Sequence, residues 1–405
     1  MHKLSPLGSA PSNSNTELHK GELPLQIPRN LSSIESLSPN AAYLRDQVRN
    51  LLMGKDAGID ALLGLETLIS YANEIFPFIN SDVNLETEWL SVMIDIAFFY
   101  GDLALMLMQK AFNKTESGSI WSSSGEYLKK GLGILQFCES NVSEKPDHRL
   151  LNLIIEMSFE FQILQQLGVI MLSLCKLRNS LSNEQSTELD LQTNDLKEST
   201  SASLFYSKLC IGCHDTASQI KQIHMLAQKR EVMSFLEGTA YLLLSLDQFR
   251  KDEIGTATGL LHQSVNCYSH FVPRTKFTST VLSTPKAPMA TKEKMRNKMH
   301  NTFLKTKQKA NLLPFKARAD NNKVSEIIND VMDTFLIPLV ILLDYVFQQT
   351  NSKLFFQPVE KDSAVLKSLL PGGVKPDLKG IEWVFWEGRL QEMGPVSNGA
   401  EQLLY

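Results

Sequence analysis

The residues most suggestive of chemistry form a C-x-x-C-H motif, in which Cys210, Cys213 and His214 lie at the spacing used for covalent haem attachment. Together with His224, the two thiols could alternatively hold a zinc ion. The motif falls inside a helical pattern predicted over 199–227, where thiols at positions i and i+3 serve as small apolar core residues. We therefore predict buried thiols and no cofactor, with a haem or metal protein as the less favoured alternative.

Other catalytic motifs point the same way. The sequence contains no H-E-x-x-H, Walker A, G-x-S-x-G or G-x-G-x-x-G pattern. Pro371-Gly372-Gly373 is followed by Val-Lys-Pro instead of a helix start, which predicts a turn and not a phosphate-binding loop. We expect no catalytic residues and no enzymatic activity.

Composition indicates a protein with a large apolar interior. Of the 405 residues, 43% are hydrophobic and 21% are charged, which is typical of soluble globular chains. The first 21 residues are rich in Ser, Asn and Pro and lack the apolar core of a secretory signal, so we predict a disordered start and a cytoplasmic location. The apolar stretches 89–108 and 335–343 are interrupted or too short, and we expect neither to span a bilayer.

A basic segment stands out in this acidic chain. Residues 286–318 hold ten Lys or Arg and one Glu, a net charge of +9, so the rest of a chain of net charge -4 carries -13. The sequence predicts a surface loop over 285–323 that is either merely solvated or in peripheral contact with an anionic membrane. The candidate membrane contacts are Lys292, Lys294, Lys298, Lys305, Lys307 and Lys309. No nucleic-acid partner is expected, because the chain as a whole is acidic.

Periodicity of apolar residues every 3.6 positions predicts an all-α fold. Helices are expected over 38–53, 59–76, 85–112, 125–139, 149–177, 199–227, 230–248, 251–269 and 324–350. The first should begin at Ser38 as N-cap, and Pro338 should kink or break the last. Helices 230–248 and 251–269 should form a tetratricopeptide-like hairpin whose Gly255 and Gly259 allow close approach of a neighbour.

The helix predicted over 149–177 has a face that changes character along its length. Asn152, Glu156 and Glu160 share one angular window, which indicates a solvent-facing stripe. The same window continues with Ile163, Leu167, Ile170 and Leu174. An apolar patch that extends a polar face suits a groove for a partner's amphipathic helix. The alternative is that another helix simply buries the second half.

Two separated motifs resemble one known family. Asp60 to Phe78 reads D-A-L-L-G-L-E-T-L-I-S-Y-A-N-E-I-F-P-F, and Asn351 to Val374 contains L-F-F-Q-P-V followed by L-L-P-G-G-V. In this order they resemble an early helix and the close of the BRO domain found in ALIX-type ESCRT adaptors. The resemblance covers about residues 22–376, with 377–405 as a tail. In this tail Ile381 to Leu390 alternates apolar and polar residues, which predicts either a strand that folds back on the domain or a docking peptide. The resemblance implies a boomerang-shaped helical domain with a two-stranded ribbon, for which we expect 22–28 to pair with 354–356.

The resemblance also implies a site and a function. In this family a concave groove binds the C-terminal amphipathic helix of an ESCRT-III core subunit, and the residues that match its surroundings are Ile163, Leu167, Ile170, Trp121, Lys130, Leu196 and Leu366. The implied role is a non-enzymatic adaptor in ambient (alkaline) pH signalling, recruited to endosomal or plasma membrane, where a partner protease and a receptor complex assemble to activate a transcription factor. The alternative within the same fold is a general endosomal sorting adaptor.

Overall fold

The computed structural model describes residues 38–52, 61–81, 83–114, 117–141, 148–181, 196–197, 200–226, 228–277, 326–386 and 388–393. The helices are α1 (Pro39–Leu52), α2 (Ala61–Ile75), α3 (Val83–Phe112), α4 (Gly118–Asn141), α5 (His148–Leu181), α6 (Ser203–Gln219), α7 (Lys229–Arg250), α8 (Ile254–Tyr268), α9 (Glu326–Val331), α10 (Ile337–Thr350) and α11 (Ser363–Ser368). Two strands, β1 (Trp383–Trp386) and β2 (Arg389–Glu392), pair antiparallel with Trp383 opposite Glu392. The predicted all-α character with a small two-stranded sheet is confirmed.

Helices that follow one another in sequence pack side by side. α1 contacts α2, α2 contacts α3, α3 contacts α4, α4 contacts α5, α5 contacts α6, α6 contacts α7 and α7 contacts α8. α3 also contacts α5, so α3 packs against both α4 and α5. α7 and α8 form the predicted helical hairpin, closed by hydrogen bonds from Lys251 N to the carbonyl oxygens of Asp247 and Gln248.

Side-chain chemistry explains where the first helices begin and how they are joined. Ser38 caps α1, since its Oγ accepts a hydrogen bond from Ala41 N at 3.0 Å, as predicted. Arg45 of α1 and Tyr71 of α2 both donate to the buried carboxylate of Glu88 in α3. A buried charge of this kind is stable only when paired and hydrogen-bonded, so the three helices are held in one arrangement.

Long apolar helices form the centre of the core. α3 and α5 are each long and apolar enough to cross a membrane by length and composition alone. In α3, however, 78% of that apolar window is buried inside the protein. Trp89 and Phe112 of α3 and Phe161 of α5 are among its largest fully buried side chains.

The helix predicted over 324–350 divides into two α-helices just before Pro338, as expected for a break at this proline. A π-helical stretch, Met332–Leu336, joins α9 to α10, and the chain continues through Pro338 in the first turn of α10. Wider i→i+5 hydrogen bonding, as from Ile337 N to Met332 O, relieves the backbone where proline cannot donate.

The predicted ribbon is wrong in its position. Asn351–Phe355 is π-helical and Phe356 is left-handed, with φ 53°, so 354–356 forms no strand. The observed sheet instead lies in the predicted tail, at Trp383–Trp386 and Arg389–Glu392. Residues 1–21, 22–28 and the basic loop 285–323, with its six candidate membrane lysines, lie outside the described residues.

Candidate functional site

The apolar side chains predicted to line the groove are core residues. Ile163, Leu167 and Ile170 are all 0% exposed, and Leu174 is equally buried. The prediction that this stripe of α5 faces an open groove is therefore wrong. The prediction was misled by Glu160, a charged residue that suggested a solvent-facing stripe. Glu160 is buried, and its carboxylate is satisfied there by hydrogen bonds from His224 N and Met225 N at 2.9 and 2.6 Å.

The other predicted groove residues do not gather around α5. Trp121 is buried at the start of α4 and donates from Nε1 to Ser117 Oγ. Leu196 is buried in the main core, whereas Leu366 of α11 packs with Tyr241 and other side chains in a separate cluster. The proposed apolar set is thus buried in the core or, for Leu366, in a separate cluster, and it forms no open surface.

Lys130 lies beneath the β hairpin formed by β1 and β2. Its Nζ is 2.8 Å from a carboxylate oxygen of Glu392 in β2 and 3.4 Å from Glu126. Burial acts to lower the pKa of Lys130, but these two carboxylates outweigh burial and raise it. Lys130 is therefore a charged anchor for the hairpin and not the edge of an open groove.

The solvent-exposed side of α5 carries a different row of residues, which we call the outer row: the apolar Ile155, Phe159 and Val169, with the polar Gln162 among them. Ile155 and Val169 are 40% and 41% exposed, and Phe159 is half-buried between them. At 100° per residue the outer row is centred about 90° from the predicted stripe. From Ile155 to Val169 it spans 14 residue steps of helix, or about 21 Å at 1.5 Å per step.

A C-terminal segment, residues 371–382, is fastened to α6 at one end and to α4 at the other, and we call it the strap. On α6, Val374 N donates to Lys208 O at 3.0 Å; on α4, Ile381 N donates to Lys129 O at 2.9 Å. Between these anchors, residues 375–379 are exposed except for half-buried Leu378. The strap leads directly into β1, whose Trp383 Nε1 donates to Lys130 O at 3.2 Å.

At each end of the strap, its backbone packs directly against a glycine of a helix. A Cβ at Gly133 of α4 would overlap the carbonyl oxygen of Ile381, and one at Gly212 of α6 would overlap that of Val374. Upstream of the strap, Gly255 and Gly259 of α8 face the carbonyl oxygens of Pro358 and Glu360 in the same way. The predicted close approach at Gly255 and Gly259 is confirmed, although the neighbour is an extended chain and not a helix.

Sequence reasoning missed the outer row. It also missed the glycine contacts at Gly133 and Gly212, and we call all four glycine positions that contact a backbone carbonyl oxygen the notches. A glycine inside a helix costs about 1 kcal/mol relative to alanine, so Gly133 and Gly212 were signals that another backbone comes close. For the outer row the available signal was Ile155 and Phe159 in adjacent turns, which the polar residues nearby concealed.

The two thiols of the C-x-x-C-H motif are buried in the core, as predicted. Cys210 and Cys213 are 0% exposed, and Cys213 Sγ lies 3.7 Å from Ile163 O. Burial raises the pKa of both thiols, which disfavours the thiolate needed for metal binding. His224, the other candidate ligand, is hydrogen-bonded to Glu160. Across the described ranges no group of three or more His, Cys, Asp or Glu has the arrangement to hold a metal ion.

This combination defines a class: a helical protein with a partly apolar outer helix face and a C-terminal segment fastened to the two neighbouring helices. Residues 83–405 match the model of a family of unknown function, DUF5355, and the chain belongs to that family. It is also similar to the uncharacterized Saccharomyces cerevisiae protein YGR122W, with 31% identity over 384 residues that cover 91% of this chain and 94% of the yeast protein.

Proposed function

We propose that this protein is a non-enzymatic adaptor that binds an amphipathic helix on α5. The observation that carries the proposal is the outer row, where Ile155 and Val169 are each about 40% exposed on one face of a single helix. Its length of about 21 Å fits about four turns of a partner helix. Aliphatic anchors at such spacing are what a helix-in-groove interface uses.

The resemblance to the BRO domain supplies the partner. We propose the C-terminal helix of an ESCRT-III core subunit, bound on the outer row and not on the buried Ile163 stripe. Asp333 to Leu339, D-T-F-L-I-P-L, and the L-L-P-G-G segment resemble the fungal pH-response regulator PalC. This supports a role in assembling the alkaline-pH signalling complex at endosomal or plasma membrane, with general endosomal sorting as the alternative.

A binding titration with a fluorescent peptide of that C-terminal helix tests the proposal. Ile155→Asp and Val169→Asp should each weaken binding about tenfold or more, corresponding to about 1.4 kcal/mol. The reason is that an apolar side chain covered by the partner helix in the complex would become charged. Far-UV helicity and the melting temperature should stay nearly unchanged, since both side chains are already partly in water.

Two controls use the same helix. Asn152→Asp changes an exposed position on a neighbouring turn and should leave binding nearly intact. Ile163→Asp places a charge in the core and should lower the melting temperature sharply. Equal affinity of wild type, Ile155→Asp and Val169→Asp would show that the outer row is not the binding surface.

A further inference from the structure

The strap must pass over α5. Its anchors lie on α6 and α4, and each of these helices packs against α5. Packed helices have axes about 8–10 Å apart, so the two anchor helices are about 16–20 Å apart. Seven residue steps from Val374 to Ile381 extend at most about 25 Å. The strap is therefore long enough to span the two helices over α5 and too short for a route around the rest of the protein.

The crossing lies on the outer side of α5, since α3 covers the other side. A Cβ at Gly168 of α5 would be 3.1 Å from Met108 of α3, and a Cβ at Gly101 of α3 would be 3.2 Å from Phe161. Strap residues 375–379 are largely exposed, as expected of a segment on the outside.

Contacts of the anchor helices fix the level of the crossing. Next to the notch at Gly133, Gly131 faces the ring of Phe161 in α5. Next to the notch at Gly212, Cys213 lies against Ile163 O. Both contacts place the strap at the middle of the outer row, near Gln162.

Burial along α5 agrees with this level. Gln166 lies within the angular window of the outer row, between Phe159 and Val169, yet it is only 3% exposed. A polar side chain on an otherwise exposed face is buried when something covers it. A strap that runs from α6 to α4 over α5 would supply this cover.

We propose that the C-terminal strap is a removable cover that closes the helix-binding face of α5 in the free protein. A partner helix lying along the outer row collides with the strap at its centre, so binding requires release of the strap from the notches of α4 and α6. This regulation rests on the proposed function, because the covered face is the one assigned to the partner helix. The bound strap is an autoinhibitory contact made by the chain on itself.

Gly133→Ala combined with Gly212→Ala tests this cover without touching the outer row. Each methyl group occupies the space of a strap carbonyl oxygen, while alanine has a higher helix propensity than glycine and favours the helix itself. Hydrogen exchange read by mass spectrometry on the peptide covering 371–382 should become faster, because Val374 N and Ile381 N lose their acceptors. Affinity for the ESCRT-III helix peptide should rise about tenfold if the uncovered form is about a tenth of the wild-type population.

Gly118→Ala and Gly372→Ala are matched controls, since a Cβ at either position meets nothing within 4 Å. In both control variants, hydrogen exchange over 371–382 and affinity for the peptide should match those of the wild type. If the double variant does not fold, Gly212→Ala alone repeats the test.

Hydrogen exchange and peptide affinity together distinguish failure of the strap proposal from failure of the adaptor proposal. Faster exchange with unchanged or weaker binding shows that the strap does not inhibit, and unchanged exchange shows that the notches do not hold it; either result overturns the cover. If neither wild type nor variant binds the peptide, the adaptor proposal fails and its regulation with it, whereas faster exchange would still show that the notches seat the strap.

Discussion

At the scale of single residues, Glu160 and His224 show how one ion pair changes the interpretation of a helix. Glu160 is fully buried in α5, and its Oε2 is 3.2 Å from Nδ1 of His224. Burial acts to lower the pKa of His224, but the hydrogen bond and the charge of Glu160, with a further contribution from Glu156, outweigh burial and raise it. The pair joins α5 to the segment that follows α6.

This pair gives the protein a defined pH dependence. Since the folded-state pKa of His224 is raised, its contribution to stability is fully present below the unfolded value of about 6.5 and is lost as pH rises through the folded value. His224→Asn should therefore lower the melting temperature more at pH 5.5 than at pH 8.5.

Thermal melts of both proteins at the two pH values check this result. In a Glu160→Gln background the extra loss at pH 5.5 should shrink, because the carboxylate that raises the pKa is gone. A melting difference independent of pH in the original background would mean that the pair does not titrate as stated.

At the scale of elements, the turn after α10 is held in a strained backbone conformation. Phe356 is 76% exposed and left-handed, which costs a non-glycine residue about 1–2 kcal/mol. Asn351 holds the turn by accepting from Gln357 N and donating to Gln357 O, both at 2.8 Å. The side chain of Gln357 accepts a hydrogen bond from Gly255 N. The strained turn therefore positions the residues that follow it against Gly255 and Gly259 of α8.

Phe356→Asn should stabilise the protein by about 1 kcal/mol, because asparagine tolerates the left-handed region and little apolar burial is lost. Leu354→Asn is the control: it is 71% exposed but not left-handed, and it should give no such gain. Chemical denaturation measures both changes. A loss of stability in Phe356→Asn would show that the ring makes contacts that matter for folding.

At the scale of the whole molecule, the end of the described chain returns to its beginning. Phe385 lies 4.1 Å, centroid to centroid, from Phe76, and Leu390 N donates to Asn73 Oδ1 at 2.7 Å. Trp383 is 6% exposed, with its ring 6.3 Å from that of Tyr100. The helices otherwise contact mainly their sequence neighbours, so this hairpin adds long-range contacts that close the structure.

Two tryptophans of one strand test this closing role. Trp383→Ala should cost about 3 kcal/mol or more in the free energy of unfolding, since it leaves a cavity between the hairpin and α4. Trp386→Ala removes a side chain that is 65% exposed and should change stability by less than about 0.5 kcal/mol. Similar values from denaturant titration would show that the hairpin is not part of the cooperative unit.

Much of the helical architecture follows from the sequence alone. Apolar periodicity is a local property, and it located the helix that became α5 and the hairpin of α7 and α8 within a few residues. Ser38 as a cap and Cys210 and Cys213 as core thiols were also predictable, because capping and burial in a helix depend on near neighbours.

Tertiary structure alone decided which side of α5 is open and what crosses it. Periodicity gives the angle between residues but not the face that other helices cover, so a buried Glu160 was mistaken for a solvent marker. Its partners lie about 64 residues away in sequence. The strap is likewise a long-range feature: Gly133 and the carbonyl oxygen of Ile381 come together from positions some 250 residues apart, and only the folded chain brings them into contact.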